Sequence, residues 1–159
     1  LEEGVPANRL IFEITETVMM QTSIRKLKEL KELGVQLAVD DFGTGYSSLS
    51  YLDRLPVDIV KVDKSFTARL GSAGEVPQLV KTVVQLGAAL GLETIVEGIE
   101  SIEQYEHTKR LGCLHGQGFL FAEPLNAAAI ESLLEVEAHG GAAFPLFEQL
   151  PPPGHLRVV

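Results

Sequence analysis

The chain has 159 residues, of which 45% are hydrophobic and 22% charged, and its formal net charge at pH 7 is -9. These values are typical of one globular domain and exclude extensive disorder, while the acidic balance excludes non-specific binding to a nucleic acid polymer, which requires clustered Lys and Arg. A single cysteine, Cys113, excludes an internal disulfide, and there is no signal-like segment or membrane-length apolar run. We therefore expect a cytoplasmic domain, within a parent protein that can be attached to a membrane through other regions.

Short apolar runs alternate along the chain with stretches in which apolar residues recur at helical spacing. The predicted strands are residues 9–14, 35–39, 58–62, 93–96 and 118–121. Strands that alternate with helical stretches indicate βα units and a parallel sheet. The sequence therefore predicts an α/β fold.

Several helix boundaries are also indicated. Helical spacing stops at Gly34 and at Gly91, as expected for glycines that end helices. Ser101 with Gln104 forms a capping-box pattern, and Asn126 has the side chain of an N-cap residue. These signals predict four helices between and after the strands.

Polar side chains occur at or near the end of every predicted strand. In chain order they are Glu13, Asp40 and Asp41, Lys61 and Asp63, Glu97, and finally Gln117, which directly precedes the last predicted strand. Because the carboxyl ends of parallel strands meet at one edge, we expect these groups to converge. Carboxylates brought together without a cation repel one another and raise each other's pKa, so convergence predicts one or two hard divalent ions, Mg²⁺ or Mn²⁺. A zinc site has little support, because no histidine is among these residues.

The pair Asp40 and Asp41 follows an apolar run and precedes Gly43-x-Gly45. Neighbouring side chains of an extended strand point to opposite faces, so both carboxylates reach one site only if the chain bends there or if two ions share them. The glycine pattern also resembles a dinucleotide-binding loop weakly. Ser48 replaces its third glycine, and the two carboxylates would repel a pyrophosphate, so this interpretation is disfavoured.

Each polar residue also has a structural interpretation. Glu13 and Glu16 are placed to end a strand and to begin a helix, where acidic residues are favourable. Lys61 lies in an otherwise apolar strand, where an unpaired lysine is costly, so a functional role is favoured. Gln117 alone is also consistent with a loop residue that satisfies backbone groups. The four histidines share no spacing and are predicted to be solvent exposed: His107, His115, His139 and His155.

Five segments in this order resemble the EAL domain family. They are Glu13-Ile-Thr-Glu16, Asp40-Asp-Phe-Gly-Thr-Gly-Tyr-Ser-Ser-Leu49, Asp58-Ile-Val-Lys-Val-Asp63, Val96-Glu-Gly-Ile-Glu100, and Gln117-Gly-Phe with Pro124-Leu125. Members are bacterial phosphodiesterases that open cyclic di-GMP to linear pGpG with Mg²⁺ or Mn²⁺ in a modified TIM barrel. The resemblance implies an incomplete TIM-type (β/α) barrel of about five βα units that lacks the N-terminal strands. Residues 1–135 would be the C-terminal part of this barrel, and residues 136–159 an extension containing Gly and Pro.

The resemblance also implies residue roles. Glu13, Asp40 and Asp41 would be metal ligands, with Asp40 bridging two ions, while Glu97 would bind the second ion or act as a base. Lys61 would hold the attacking water. Substrate contacts are expected from Gln117, which would also support this water, and from Gly118 and Pro124. A two-ion site about 3.5 to 4 Å wide supplies the hydroxide and the charge relief that phosphodiester hydrolysis requires.

A loop after the aspartate pair is expected to couple ligand binding to dimer contact, with Glu100 anchoring it. Its residues are Phe42, Gly43, Thr44, Gly45, Tyr46, Ser47 and Ser48. The implied partners are cyclic di-GMP, a second copy of the chain, and an upstream sensor or GGDEF-type domain.

Part of the family's pattern is absent from these residues. The Glu-Ala-Leu motif, the arginine that follows it and an asparagine ligand would lie before Leu1, and a complete TIM barrel needs about 250 residues. We therefore expect little activity from the 159 residues alone. Three interpretations follow: the C-terminal part of an active phosphodiesterase, a receptor that binds cyclic di-GMP without hydrolysis, or a truncated inactive domain that acts through binding.

Overall fold

The computed structural model describes residues 4–44, 52–68, 78–139 and 157–158. The strands are β1 (Ile11–Thr15), β2 (Gln36–Phe42), β3 (Ile59–Val62), β4 (Glu93–Val96), β5 (His115–Gly116) and β6 (Arg157–Val158). The helices are α1 (Glu16–Gln21), α2 (Ile24–Glu32), α3 (Lys64–Thr67), α4 (Gln78–Leu90), α5 (Ile102–Arg110) and α6 (Ala127–Ala138), and a 3₁₀ turn (Ala7–Arg9) precedes β1. Within these ranges, none of the helices combines the length and apolar character needed to cross a membrane.

The strands form one parallel sheet in sequential order from β1 to β6. Among the described residues, helices lie between β1 and β2, β3 and β4, β4 and β5, and β5 and β6, which is the arrangement of a (β/α) barrel. Over the described residues the sheet stays open, with β1 and β6 at its two edges. The predicted α/β fold, with an incomplete TIM-type barrel, is confirmed.

Alternation along the strands sends side chains to two different apolar clusters. One face of β2 and β3, including Leu37, Val39, Val60 and Val62, packs with helix residues in the main core. On the other face, called the inner face below, a smaller buried cluster is formed by Ala38, Ile59 and Ile95. Burial on both faces explains why these strands read as continuous apolar runs.

The predicted helix boundaries are largely confirmed. Ser101 and Gln104 form a reciprocal capping box at the start of α5. The Asn126 side chain accepts a hydrogen bond from the Ala129 N–H at 3.0 Å, at the start of α6. Gly34, at φ +88°, follows the end of α2 in the left-handed conformation that favours glycine.

The prediction of a fifth strand at residues 118–121 is wrong. The strand is His115–Gly116, and the later residues form a turn in which the Phe121 N–H donates to the Gly118 carbonyl at 3.0 Å. The apolar run in this segment belongs to a turn that packs on the core, not to a strand. Gln117 therefore follows a strand end instead of preceding a strand.

The prediction of exposed histidines is wrong for His115. Its side chain is only 13% exposed, and its Nε2 lies 3.5 Å from Glu93 Oε2. His107 is half-buried, His139 is exposed, and His155 lies outside the described residues. The partner Glu93 is 22 positions away in sequence, so spacing between histidines did not reveal it.

An ion pair ties the amino ends of β2 and β3 to α2. Lys31 Nζ lies 2.7 and 2.6 Å from the two oxygens of Asp58 and donates to the Val35 carbonyl at 3.1 Å. The Asp58 carboxylate also accepts from the Leu37 N–H at 2.8 Å.

The division of the chain at residue 135 stays a prediction. Helix α6 continues past this residue to Ala138, and β6 (Arg157–Val158) pairs with β5.

Candidate active site

Three strands deliver charged side chains to the carboxyl end of the inner face. Because side chains alternate along a strand, positions two residues after the inner-face cluster point the same way. Those positions hold Asp40, Lys61 and Glu97. The inner face is therefore apolar in the middle of the strands and charged at the edge where the parallel strands end.

Lys61 is the centre of this cluster and is only 3% exposed. Its Nζ lies 2.8 Å from Glu13 Oε1, 3.0 Å from Asp40 Oδ1 and 2.7 Å from Glu97 Oε1. Burial alone would lower the pKa of Lys61, but the carboxylates of Glu13, Glu97 and Asp40 outweigh it and raise that pKa above its ordinary value. The ammonium group is therefore held in its charged form.

A bend in the backbone brings Asp41 to the same side as Asp40. Asp41 has φ +54°, and the pairing of β2 with β3 shifts register between Val39 and Phe42. A left-handed residue at such an irregularity re-aims its side chain, and Asp tolerates this conformation better than most residues. Of the two routes by which both aspartates can reach one site, the chain uses a bend.

The bend produces a group of three carboxylates. Asp40, Asp41 and Glu97 each offer an oxygen, and these oxygens lie within 4.8 Å of one another. Partial burial and the charge of Asp40 raise the pKa of Asp41, and burial raises the pKa of Glu97. Glu13 contacts Lys61 instead of joining this group, and its side chain is 49% exposed.

The donor set fits a hard divalent cation. Asp40, Asp41 and Glu97 bring three carboxylates together, whereas Lys61, whose Nζ lies 3.0 Å from Asp40 Oδ1, supplies a single positive charge. Partly buried carboxylates in excess over the positive charge are costly unless a further cation binds. Carboxylate oxygens are the ligands that Mg²⁺, Mn²⁺ and Ca²⁺ prefer.

Two further acidic residues lie beside the cluster. The sequence predicts that Asp63 converges with it but gives neither residue an individual role. The Asp63 side chain caps α3 by accepting from the Ser65 N–H at 3.0 Å, and although burial opposes it, this hydrogen bond lowers the pKa of Asp63. The charge of Asp63 in turn helps to raise the pKa of Asp41. In the sequence, the position of Asp63 directly after a predicted strand is the signal that places it near the site.

The second is Glu16, which is 4% exposed at the start of α1. Its carboxylate accepts from the Gly43 N–H at 3.2 Å and so connects α1 to the turn after Asp41. The Glu13-Ile-Thr-Glu16 segment was noted in the sequence, but the contact depends on tertiary structure. The predicted anchor, Glu100, has an exposed side chain, and its N–H donates to Gln104 within the α5 cap.

The remaining predicted site residues are placed as follows. Gln117 is exposed directly after β5, and its N–H donates to the Val96 carbonyl at 2.9 Å. Gly118 packs on the Ile99 backbone, and Pro124 is exposed. Of the predicted loop, Phe42 is buried at the end of β2, and the Thr44 hydroxyl donates to the Asp41 carbonyl at 2.8 Å. Gly45, Tyr46, Ser47 and Ser48 lie outside the described residues.

The chain belongs to the EAL domain family, whose family model matches residues 1–124. Cyclic di-GMP phosphodiesterase NbdA of Pseudomonas aeruginosa is 39% identical over 136 residues, which cover 84% of this chain and 17% of that protein. Eight curated relatives are covered over only 16% to 23% of their length.

Solved structures are similar in fold as well as in sequence. The PaMucR phosphodiesterase in its c-di-GMP complex superposes with a TM-score of 0.76 at 39% identity, over 81% of this chain and 53% of that one. Klebsiella pneumoniae BlrP1, in a complex with manganese and c-di-GMP, superposes with a TM-score of 0.71 at 36% identity, over 77% of this chain and 32% of that one.

Proposed function

We propose that this chain forms part of a metal-dependent phosphodiesterase that hydrolyses cyclic di-GMP to linear pGpG in bacterial second-messenger signalling. The observation that carries the proposal is the buried Lys61 ammonium, which contacts carboxylates from β1, from β2 and from the residue that follows β4. Family membership supports it, because relatives are named cyclic di-GMP phosphodiesterases and similar structures hold c-di-GMP.

The acidic residues of the cluster are the proposed holders of two divalent ions, Mg²⁺ or Mn²⁺. Asp40, Asp41, Glu13 and Glu97 offer the oxygen ligands that these ions prefer. When bound, such ions supply a hydroxide at neutral pH and relieve charge on the phosphoryl oxygens. They also reverse the sign of the local potential, so that an acidic chain binds an anionic dinucleotide.

Lys61 is proposed to hold the attacking water. Its ammonium stays charged because three carboxylates surround it, and an ammonium donates hydrogen bonds but accepts none. It can therefore orient the water's lone pairs without removing the water's proton. Glu97, whose pKa is raised by burial, is proposed either to hold an ion or to accept that proton.

Residues around the cluster are proposed to bind substrate and to control the site. Gln117, Gly118 and Pro124 follow β5 and are the proposed substrate contacts. The loop that begins at Phe42 is the proposed link between ligand binding and a homodimer contact. The Gly43 N–H bond to Glu16 supports this, because it couples the start of that loop to the helix after β1.

The test compares two aspartate substitutions at opposite ends of the sheet in the full-length polypeptide. With Mg²⁺ or Mn²⁺ and cyclic di-GMP, Asp40→Asn is expected to lower pGpG formation by more than about a hundredfold, because it removes a ligand charge from the cluster. Asp58→Asn, which changes the same chemical group at the amino end of β3, is the matched control and should retain kcat. Product is measured by chromatography.

The wild-type protein supplies the contradicting outcome. If it binds cyclic di-GMP under saturating metal and forms no pGpG, hydrolysis is wrong and the receptor interpretation replaces it.

A further inference from the structure

The segment that carries Glu97 is held from both sides by backbone hydrogen bonds. On one side, the Glu97 N–H donates to the Val62 carbonyl at 3.1 Å. On the other, the Ile99 N–H donates to the Gln117 carbonyl at 3.0 Å, and the Leu120 N–H donates to the Ile99 carbonyl at 2.9 Å. Ile99 is fully buried, so the segment from Glu97 to Ile99 has little room to move.

Gly118 lies at the point of closest approach in this arrangement. A Cβ built on Gly118 would overlap with the backbone nitrogen, carbonyl carbon and oxygen of Ile99. A flexible side chain can turn away from such an overlap, but these atoms belong to a backbone fixed by two hydrogen bonds. Any side chain at position 118 therefore has to push the Ile99 segment or the Gln117 turn out of place.

Displacement at Ile99 is transmitted to the charged cluster by a short path. Glu97 precedes Ile99 by two residues, and its Oε1 lies 2.7 Å from Lys61 Nζ. Gly98 between them is itself close-packed, with the position of its missing Cβ against the Lys64 Cβ. The segment is thus wedged between α3 and the turn after β5, so a shift at one side moves the Glu97 carboxylate relative to Lys61.

We propose that Gly118 is a positioning residue for the reaction: the absence of a side chain lets the turn after β5 lie directly on Ile99, and this contact fixes Glu97 beside Lys61. The inference rests on the proposed function and changes the role expected for Gly118 from substrate contact to support of the catalytic cluster. The two roles predict different kinetics, because lost substrate binding raises KM, whereas a misplaced reacting group lowers kcat.

The first experiment uses Gly118→Ala in the full-length polypeptide. We expect kcat for cyclic di-GMP to fall by about a hundredfold, since a misplacement of about 1 Å has that effect. KM should change by less than about threefold. The matched control is Gly112→Ala: its φ of +80° also makes a side chain strained, but an added Cβ meets no atom within 4 Å. It therefore tests backbone strain without the overlap, and its kcat should stay at the wild-type value. A raised KM with unchanged kcat in Gly118→Ala, or equal effects in both variants, would overturn the proposal.

The second experiment measures hydrogen exchange, first in the wild-type protein, and does not depend on activity. In the wild-type protein, hydrogen exchange at the Ile99 and Leu120 amides should be as slow as at the amides of β4, since both N–H groups are hydrogen-bonded at the contact. Exchange at loop-like rates would overturn the proposal even if Gly118→Ala fails to fold. If the wild-type protein forms no pGpG, the proposed function has failed, and slow exchange that becomes fast in Gly118→Ala still supports the positioning contact.

Discussion

A lysine pairs with carboxylates at each end of the sheet, and the two arrangements differ in their charge balance. At the amino end, Lys31 faces one carboxylate, Asp58, which also accepts a backbone N–H, and both side chains are about 30% exposed. At the carboxyl end, Lys61 is buried against three carboxylates, with Asp41 and Asp63 close by.

The difference indicates which end is built for stability and which for chemistry. The amino-end pair is neutral as a whole, and its hydrogen bonds join a helix to two strands. The carboxyl-end cluster has more negative than positive charge, which costs stability unless a further cation binds. An excess of negative charge of this kind is typical of the face of a (β/α) barrel that carries the active site, whereas residues on the opposite face contribute to stability.

The strongest test of this contrast removes each lysine in turn. Lys61→Met should lower the free energy of unfolding by about 3 kcal/mol without metal, because it leaves three carboxylates without their buried cation. Mn²⁺ should recover part of this loss by replacing the missing positive charge. Urea denaturation with and without Mn²⁺ measures both effects.

The control for that experiment is Lys31→Met. It should cost about 1 kcal/mol, because the Lys31 pair is partly exposed, and Mn²⁺ should stabilise it only as much as it stabilises the wild-type protein, because the carboxylate cluster is intact. Equal Mn²⁺ stabilisation of the two variants would contradict the contrast, since it would mean that removing Lys61 does not change how strongly the cluster binds the ion.

A smaller effect is expected from Asp58→Asn at the amino end. Asparagine keeps an acceptor oxygen for the Leu37 N–H but loses the charge that pairs with Lys31, so we expect a loss of about 0.5 to 1 kcal/mol in the free energy of unfolding. Added salt should narrow the difference from wild type because it screens a partly exposed pair. A fall in kcat similar to that of Asp40→Asn would show instead that the two ends of the sheet are coupled.

The sequence predicts the first four strands well because each has four to seven residues and is rich in apolar or β-branched side chains. β5 was misplaced for a physical reason: it has two residues, His115 and Gly116, neither of which favours a strand. The apolar residues after Gln117 supplied a stronger local signal, but they pack as a turn on Ile99. Tertiary contacts decide such short segments.

The sequence indicates which charged residues form the cluster but not how they are arranged in space. Strand ends indicated which polar groups come together, whereas the bend at Asp41 was one of two open alternatives until the backbone decided it. The contacts of Glu16 with Gly43 and of Glu93 with His115 join residues more than twenty positions apart. No local pattern encodes such pairs, since they depend on which strand lies beside which.

The amino end also holds the thiol of Cys113, which lies near the start of β5. Cys113 is 2% exposed and borders a cavity of about 210 Å³, and its Sγ donates to the Thr94 carbonyl at 3.1 Å. Burial raises the pKa of the Cys113 thiol, so less of the reactive thiolate forms at any given pH. If the amino end is the rigid, structural end, a thiol reagent should modify Cys113 at least about a hundredfold more slowly in the native protein than in urea, because modification requires local opening. In a polypeptide of these 159 residues, which include one cysteine, the rate of thiol release reports this site alone. If Cys113 in the native protein is modified as fast as in urea, the cavity admits the reagent. The amino end of the sheet would then not be closed to solvent, and the contrast with the Lys61 cluster would be wrong.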